Sequence, residues 1–435
     1  MDGPSLTLFL VQISLVLAVP LVMAKLLEKL SLSPLVVELL CGLLLGPSVF
    51  GMLSPDLYAH VFPALGRATQ GREAVTEFGL LIFVFMAGLE LQPKRLRTLG
   101  LPIIWTSLFG ILLPLLLGVG SVLLWPGFWR NMAQSNIPLL ALFVGTILSI
   151  TALPVIARIL MDLHLIKTEL GTIIMSAAML DDLAGWGLFA VILSNFGSAG
   201  QSGQSGRNLW ASLAMVLLVF GLILNLSNKR IQRAVGWLNL PKDTLQLKLT
   251  FLVVMTAAIF SQIVGTHATL GAFLAGVALG RIPEARKLAH ESLYQTTAGI
   301  FATLYFVSIG LKVNFVANFD LWLVLFVLLV ACLGKIGGVF LGATLGGKQP
   351  REALLVAIGM NARGAVGIVL TTVALDYGLI DQRIFVAFII MALATSVLSA
   401  VGIKHLVGHR QPLEEPELLP YAASDESMES AGRAG

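Results

Sequence analysis

The stretch MSAAMLDDLAGWGLFAVILS, residues 175–194, reads as one apolar membrane helix except for two adjacent carboxylates, Asp181 and Asp182. A charge at mid-bilayer costs about 3 kcal/mol on insertion scales, so such a residue faces a cavity or pairs with another group. Successive helical residues point about 100° apart. The two acids therefore cannot serve one ligand symmetrically. One can face a fixed partner while the other faces a water-filled path. The plainer alternative is a structural polar pair that pins helices together.

Composition agrees with a membrane setting. Of 435 residues, 57% are hydrophobic and only 12% charged, too few charges to cover a soluble surface. The net charge of +4 does not point to nucleic acid, because the basic residues lie in short loops between apolar runs. The first run follows no basic leader and precedes no cleavage signal, so it reads as a retained span. About thirteen spans are expected, near 6–23, 34–50, 74–91, 101–124, 137–160, 170–194, 209–226, 249–264, 269–279, 295–311, 321–345, 353–375 and 383–406. With the N-terminus outside, about 18 Lys and Arg fall on one face and about 6 on the other, and the richer face is cytoplasmic. The expected fold is an all-α polytopic membrane protein, N-terminus outside and C-terminus cytoplasmic. Residues 197–206 read as a flexible external loop and 228–248 as a basic cytoplasmic connector. Residues 409–435 read as a disordered acidic tail, too short for a regulatory nucleotide-binding domain. Cys41 and Cys332 sit in apolar segments as small hydrophobes. The scattered histidines offer no metal cluster.

Lys335 lies well inside the eleventh span, in LVACLGKIGGVFLG. It either snorkels or pairs with one of the aspartates, while Gly334, Gly337 and Gly338 allow close helix approach. Two further stretches break helix rules at membrane depth. SITALPV (149–155) carries Ser149, Thr151 and Pro154, and GMNARGAVG (359–367) carries Asn361 and Arg363. Unwound backbone is tolerated in a bilayer only where protein or a wet cavity receives its polar groups; a proline kink is the alternative for the first. The breaks fall in the fifth and twelfth spans. That odd offset runs the two helices in opposite directions, the pattern of inverted-repeat transporters with a midplane ion site. Spans one to six would repeat as eight to thirteen. Glu38 reads as interfacial, near a helix start. Glu77 opens the third span, as a cap or a partner of Arg363.

The run 151–186, TALPVIARILMDLHLIKTELGTIIMSAAMLDDLAGW, resembles the monovalent cation:proton antiporter-2 family of the sodium/proton exchanger superfamily. GLLLGPS (42–48), EFGLLIFVFMAGLEL (77–91), THATLGAFLAGVALGRIPE (266–284), YFVSIGLKVNF (305–315), GKIGG (334–338) and MNARGAVGIVLTTVALDYGLID (360–381) are similar to its other motifs, in order. The motifs look closest to the cation/H⁺ exchanger branch. The resemblance implies a transmembrane exchanger domain over 1–408 and a homodimer. Its dimerisation part would be about 1–92 and 246–315, its mobile core about 100–195 and 318–408, and its linker helix about 209–228. It further implies that Asp182 binds the transported Na⁺ or K⁺ and the proton, and that Asp181 partners Lys335. The breaks around Thr151 and Asn361 would complete the site, supported by Ser149, Pro154, Arg363 and Glu77. No cofactor, nucleic acid or regulatory nucleotide domain is expected. The activity implied is elevator-type cation/H⁺ exchange across the cell membrane. A channel, symporter or sensor on the same scaffold is the alternative. An intramembrane aspartyl protease fits less well, since its acids would sit on separate helices.

Overall fold

A long apolar segment in a bilayer has to satisfy its backbone internally, so helices are the economical answer. The computed structural model describes residues 3–27, 34–90, 100–129, 137–151, 153–163, 165, 168–196, 244–263, 268–280 and 283–407. The described residues are helical with no strand. The expected seventh span, the external loop, most of the basic connector and the acidic tail lie outside them.

The first set of helices comprises α1 (Gly3–Leu26), α2 (Pro34–Leu45), the short α3 (Phe50–Leu53) and α4 (Pro55–Val61), and α5 (Arg67–Glu90). Next come α6 (Leu101–Leu124), α7 (Ile137–Ser149), α8 (Leu153–Asp162) and α9 (Glu169–Phe196). Then follow α10 (Thr244–Ile263), α11 (Ala268–Leu279), α12 (Pro283–Thr296), a π-helical turn at Thr297–Phe301, and α13 (Ala302–Lys312). The chain closes with α14 (Leu321–Leu345), α15 (Pro350–Gly359), α16 (Ala365–Asp376) and α17 (Gln382–Val407). Among the described residues, five helical stretches are long and apolar enough to cross a membrane: α1, Pro34–Leu53, α6, α14 and α17.

The same order occurs twice: a long helix, two half-helices and a long helix, as α6 to α9 and again as α14 to α17. These eight helices pack mainly on one another, α6 against α14, α7 and α9, and α14 against α15 and α17. The remaining helices form a second set in which α11 packs on α5 and α10, and α13 on α2, α5 and α1.

The α6–α14 crossing carries the site and rests on a stripe of small residues. A Cβ at Gly338 would stand 2.3 Å from the Phe109 carbonyl oxygen, and one at Gly342 would stand 2.2 Å from that of Trp105. Without side chains there, the two backbones touch directly, as in small-residue crossings generally. Gly337, one residue from Gly338, meets only a Leu113 methyl at 3.5 Å and lies beside the crossing. Gly338→Ala is therefore expected to cost about 1–3 kcal/mol by overpacking, read as a lower unfolding temperature in detergent. Gly337→Ala should leave that temperature close to wild type.

Three expectations change. Glu38 is buried within the protein, 8% exposed, and its carboxylate accepts a 2.6 Å hydrogen bond from Thr303 Oγ1 of α13. Glu77 neither caps a helix nor pairs with Arg363, because α5 begins at Arg67 and leaves Glu77 exposed in its interior. The tenth span is preceded by helix: the polar α12, PEARKLAHESLYQT, runs through the π turn into α13. Hydropathy alone passes over such a segment.

Candidate functional site

The site assembles where the two interrupted helices meet between α6, α9 and α14. The carbonyls ending α7 lack intrahelical partners, as at any helix end. Here Lys335 takes up the Ser149 carbonyl and Arg363 the Leu148 carbonyl. Pro154 lies in the first turn of α8, where the N–H it lacks has no helical partner to lose.

Lys335 Nζ, wholly buried, donates to Asp181 Oδ2 at 2.5 Å, to the Ser149 carbonyl at 2.5 Å and to the Gly110 carbonyl at 3.0 Å. An ammonium has three donors and no acceptor, so all three are used. Asp181, also buried, has both oxygens engaged: Ser107 Oγ donates to Oδ1 at 2.9 Å and Thr151 Oγ1 to Oδ2 at 2.8 Å. Desolvating two charges costs several kcal/mol per ion and is offset only when the remaining donors and acceptors are satisfied. This pair meets that condition. The contribution of Ser149 is its carbonyl, for its hydroxyl bonds within α7 to the Thr146 carbonyl at 2.8 Å.

Arg363 holds the second break against the first. Its guanidinium donates to the Leu148 carbonyl at 2.7 Å, the Ala331 carbonyl at 3.2 Å, and the carbonyl and side-chain oxygens of Asn361 at 3.3 and 3.2 Å. The amide of Asn361 approaches Cys332 Sγ at 3.5 Å. Thr151 Oγ1 also reaches the Met360 carbonyl at 3.4 Å, which links the two breaks directly. The Arg363 carbonyl accepts from Ser396 of α17. The C-terminal carbonyls of α7 thus face two cations, the favourable end of a helix dipole for positive charge.

Asp182 is the more accessible acid, 7% exposed against 1% for Asp181. It lies close enough to Lys335 to act on it electrostatically. At Gly185 on the same helix, a Cβ would stand 2.6 Å from Ile150. That glycine lets the break at Ile150 and Thr151 come up against the aspartate turn. Asp181, Lys335, Thr151 and Ser149 therefore form one cluster, with Asp182 beside it and Asn361 and Arg363 across the junction. Glu77 stands apart. Ser107 and the Gly110 carbonyl were not expected from the sequence. Ser107 is an uncharged residue in an apolar run, and a backbone oxygen carries no residue label.

No three His, Cys, Asp or Glu side chains group as a metal site among the described residues. The cluster offers carboxylate, hydroxyl and carbonyl oxygens, the donors that suit hard cations.

The chain is 33% identical over 411 residues to "Cation/H(+) antiporter 18" of Arabidopsis thaliana, covering 92% of this chain and 49% of that protein. The chain thus spans about half the length of the plant relatives it matches. It is 30% identical over 410 residues to "Na(+)/H(+) antiporter NhaS4" of Synechocystis sp., covering 92% of this chain and 97% of that one. Its fold matches the sodium proton antiporter MjNhaP1 of Methanocaldococcus jannaschii with a TM-score of 0.62 at 19% identity, over 92% of this chain and 96% of that chain. The family model described as "Sodium/hydrogen exchanger, transmembrane" matches residues 13–408. With that match over most of its length, the chain belongs to the sodium/hydrogen exchanger family.

Proposed function

We propose that this protein exchanges Na⁺ or K⁺ for H⁺ across a cell membrane, with Asp182 as the carboxylate for which cation and proton compete. The observation that carries the reading is the division of labour between adjacent acids. Asp181 is saturated by Lys335, Ser107 and Thr151, which leaves Asp182 the more accessible of the two. A protonated carboxyl is neutral and no longer attracts a cation, and one holding a cation binds a proton poorly. That mutual exclusion is the rule of exchange. A bare charged Asp182 is costly to carry past the apolar helices of the second set, and loading with either ion neutralises it. Release of a proton from Lys335 on cation binding would make two protons move per cation, an electrogenic exchange. The relatives' names carry both cations: Na⁺ in the cyanobacterial protein, and K⁺ in "K(+)/H(+) antiporter 1" of Saccharomyces cerevisiae, 27% identical. A dye-quench assay in proteoliposomes, titrating Na⁺, K⁺, Li⁺ and Rb⁺ over a range of pH, tests this. Proton flux against an imposed cation gradient is expected; cation currents without proton counterflow would mean a channel.

In this reading the protein is a homodimer, and the α6–α9 and α14–α17 set moves as a body against the other set, alternating access as an elevator. The N-terminus would be outside and about thirteen spans would cross. One polar contact joining the sets is Lys312 at the end of α13, which donates to both oxygens of Asp376 at the end of α16, each at 3.1 Å. The side chains are 40% and 49% exposed, and such a pair is worth about 0–1 kcal/mol, so it can open during a transport cycle. Lys312→Ala should leave the exchange rate within about threefold of wild type. Lys312→Cys with Asp376→Cys, joined by a short thiol crosslinker, should stop exchange until the link is reduced. Full exchange by the crosslinked protein would rule out relative movement of the two sets.

A further inference from the structure

Pro114 interrupts α6 from within. A proline has no N–H to give to the carbonyl four residues earlier, and its ring pushes that carbonyl aside. Four residues before Pro114 is Gly110, and the Gly110 carbonyl is the oxygen that receives Lys335 Nζ at 3.0 Å. The packing is arranged around the same point. A Cβ on Gly334, the residue before the lysine, would stand 2.8 Å from the Pro114 Cα. The absence of that Cβ seats Pro114 against α14 beside the lysine. A Cβ on Gly110 would meet Val339 at 2.9 Å and stand 3.9 Å from Lys335 Nζ, so the carbonyl and the ammonium meet across bare backbone.

From this geometry we infer that Pro114 is a positioning residue for ion exchange: it frees the Gly110 carbonyl as the third acceptor of Lys335 and so sets how firmly the lysine keeps its proton. This deepens the proposed function and rests on it. An ammonium uses three acceptors, whereas a neutral amine has two donors and a lone pair. The cradle of Gly110, Ser149 and Asp181 oxygens matches the ammonium, and one of its oxygens would face a lone pair if the proton left. Any residue with an N–H at 114 competes for the Gly110 oxygen from within the α6 ladder and weakens the third acceptor, which favours the neutral amine. The charged groups around Lys335 are Asp181 and Asp182 from α9 and Arg363 from the second break. The apolar α6 and α7 contribute hydroxyls and carbonyls. Changing residue 114 therefore alters an acceptor and no charge.

The test is Pro114→Ala, with Pro114→Gly as a second variant that restores the N–H while keeping the helix weak at that point. Each is made in wild-type protein and in a Lys335→Gln background. The readout is thermal stabilisation of the purified full chain by NaCl or KCl, measured from acid to alkaline pH. In the lysine background either variant should shift the pH at which the cation begins to stabilise downward by about one unit. At acid pH the half-stabilising cation concentration should fall several-fold. In the Lys335→Gln background, proline and its replacements should give the same curve. A shift that persists without the lysine would show a purely structural effect of straightening α6 and overturn the inference. So would wild-type curves in both folded variants, or failure of both to fold, which would make Pro114 a residue of the fold. If the wild-type chain shows no pH-dependent stabilisation by either cation, the exchange reading fails and the inference falls with it. Cation stabilisation in wild type with unmoved variants rejects the inference alone.

Discussion

Asp182→Asn is expected to abolish cation-driven proton flux in proteoliposomes while leaving the protein folded. The substitution keeps size and shape and removes one negative charge at the place where the cation is proposed to bind. A unit charge acting on a monovalent cation at about 4 Å in an effective dielectric near 20 is worth about 4 kcal/mol, close to a thousandfold in affinity. The Asp181–Lys335 cluster keeps all its partners, so the unfolding temperature in detergent should stay near wild type. The Asn side chain also cannot exchange a proton near neutral pH, so both halves of the competition vanish together. Asp182→Glu retains the carboxylate and should retain measurable exchange with altered cation affinity. Wild-type flux from the Asn variant, reconstituted at equal density, would remove Asp182 from the mechanism.

The second large effect concerns stability. Lys335→Ala leaves the Asp181 carboxylate buried without the cation at 2.5 Å, and breaking a buried pair from one side costs about 3–5 kcal/mol. Ser107 and Thr151 still donate to Asp181, which offsets part of the loss. The Ser149 and Gly110 carbonyls also lose their donor, which adds to it. Adding Asp181→Asn should recover much of the stability, since a neutral amide keeps both hydroxyl contacts and removes the stranded charge. Recovery in the double variant separates an electrostatic cause from a cavity left by the lysine stem, which the second substitution would not fill. The same Lys335→Ala protein, where it folds, should show a changed pH profile or a changed number of charges moved per cycle when membrane potential is clamped. Unchanged stoichiometry and profile would make the lysine structural.

Much of this architecture was legible in the residues. The apolar runs at 101–124, 321–345 and 383–406 coincide with α6, α14 and α17, because twenty-odd mostly apolar residues have few other ways to satisfy a backbone in lipid. The breaks at 149–155 and 359–367 appear between α7 and α8 and between α15 and α16, where proline, glycine and short polar side chains cluster and weaken the ladder together. Charges at membrane depth singled out Asp181, Asp182, Lys335 and Arg363 for the same reason: lipid does not tolerate them unpartnered. Where local polarity and partner disagreed, the prediction failed. Glu77 looked like a helix opening because the apolar run begins near it, but α5 starts ten residues earlier in polar sequence. For Glu38 the sequence did not show that a hydroxyl 265 positions away would bond its buried carboxylate.

By itself the sequence determined which side chains cannot rest in lipid and where the helices must stop. Both follow from the local cost of burying charge and of breaking a backbone ladder. Only the tertiary structure decided who else meets whom: the Asp181–Lys335 pair implied by the resemblance is joined by Arg363 at the open end of α7, and by Ser107 and the Gly110 carbonyl as partners that no pattern marked. Those pairings span from 74 to 225 positions along the chain. They exist because glycine-lined crossings bring distant backbones into contact, and contact between distant residues leaves no trace in their spacing.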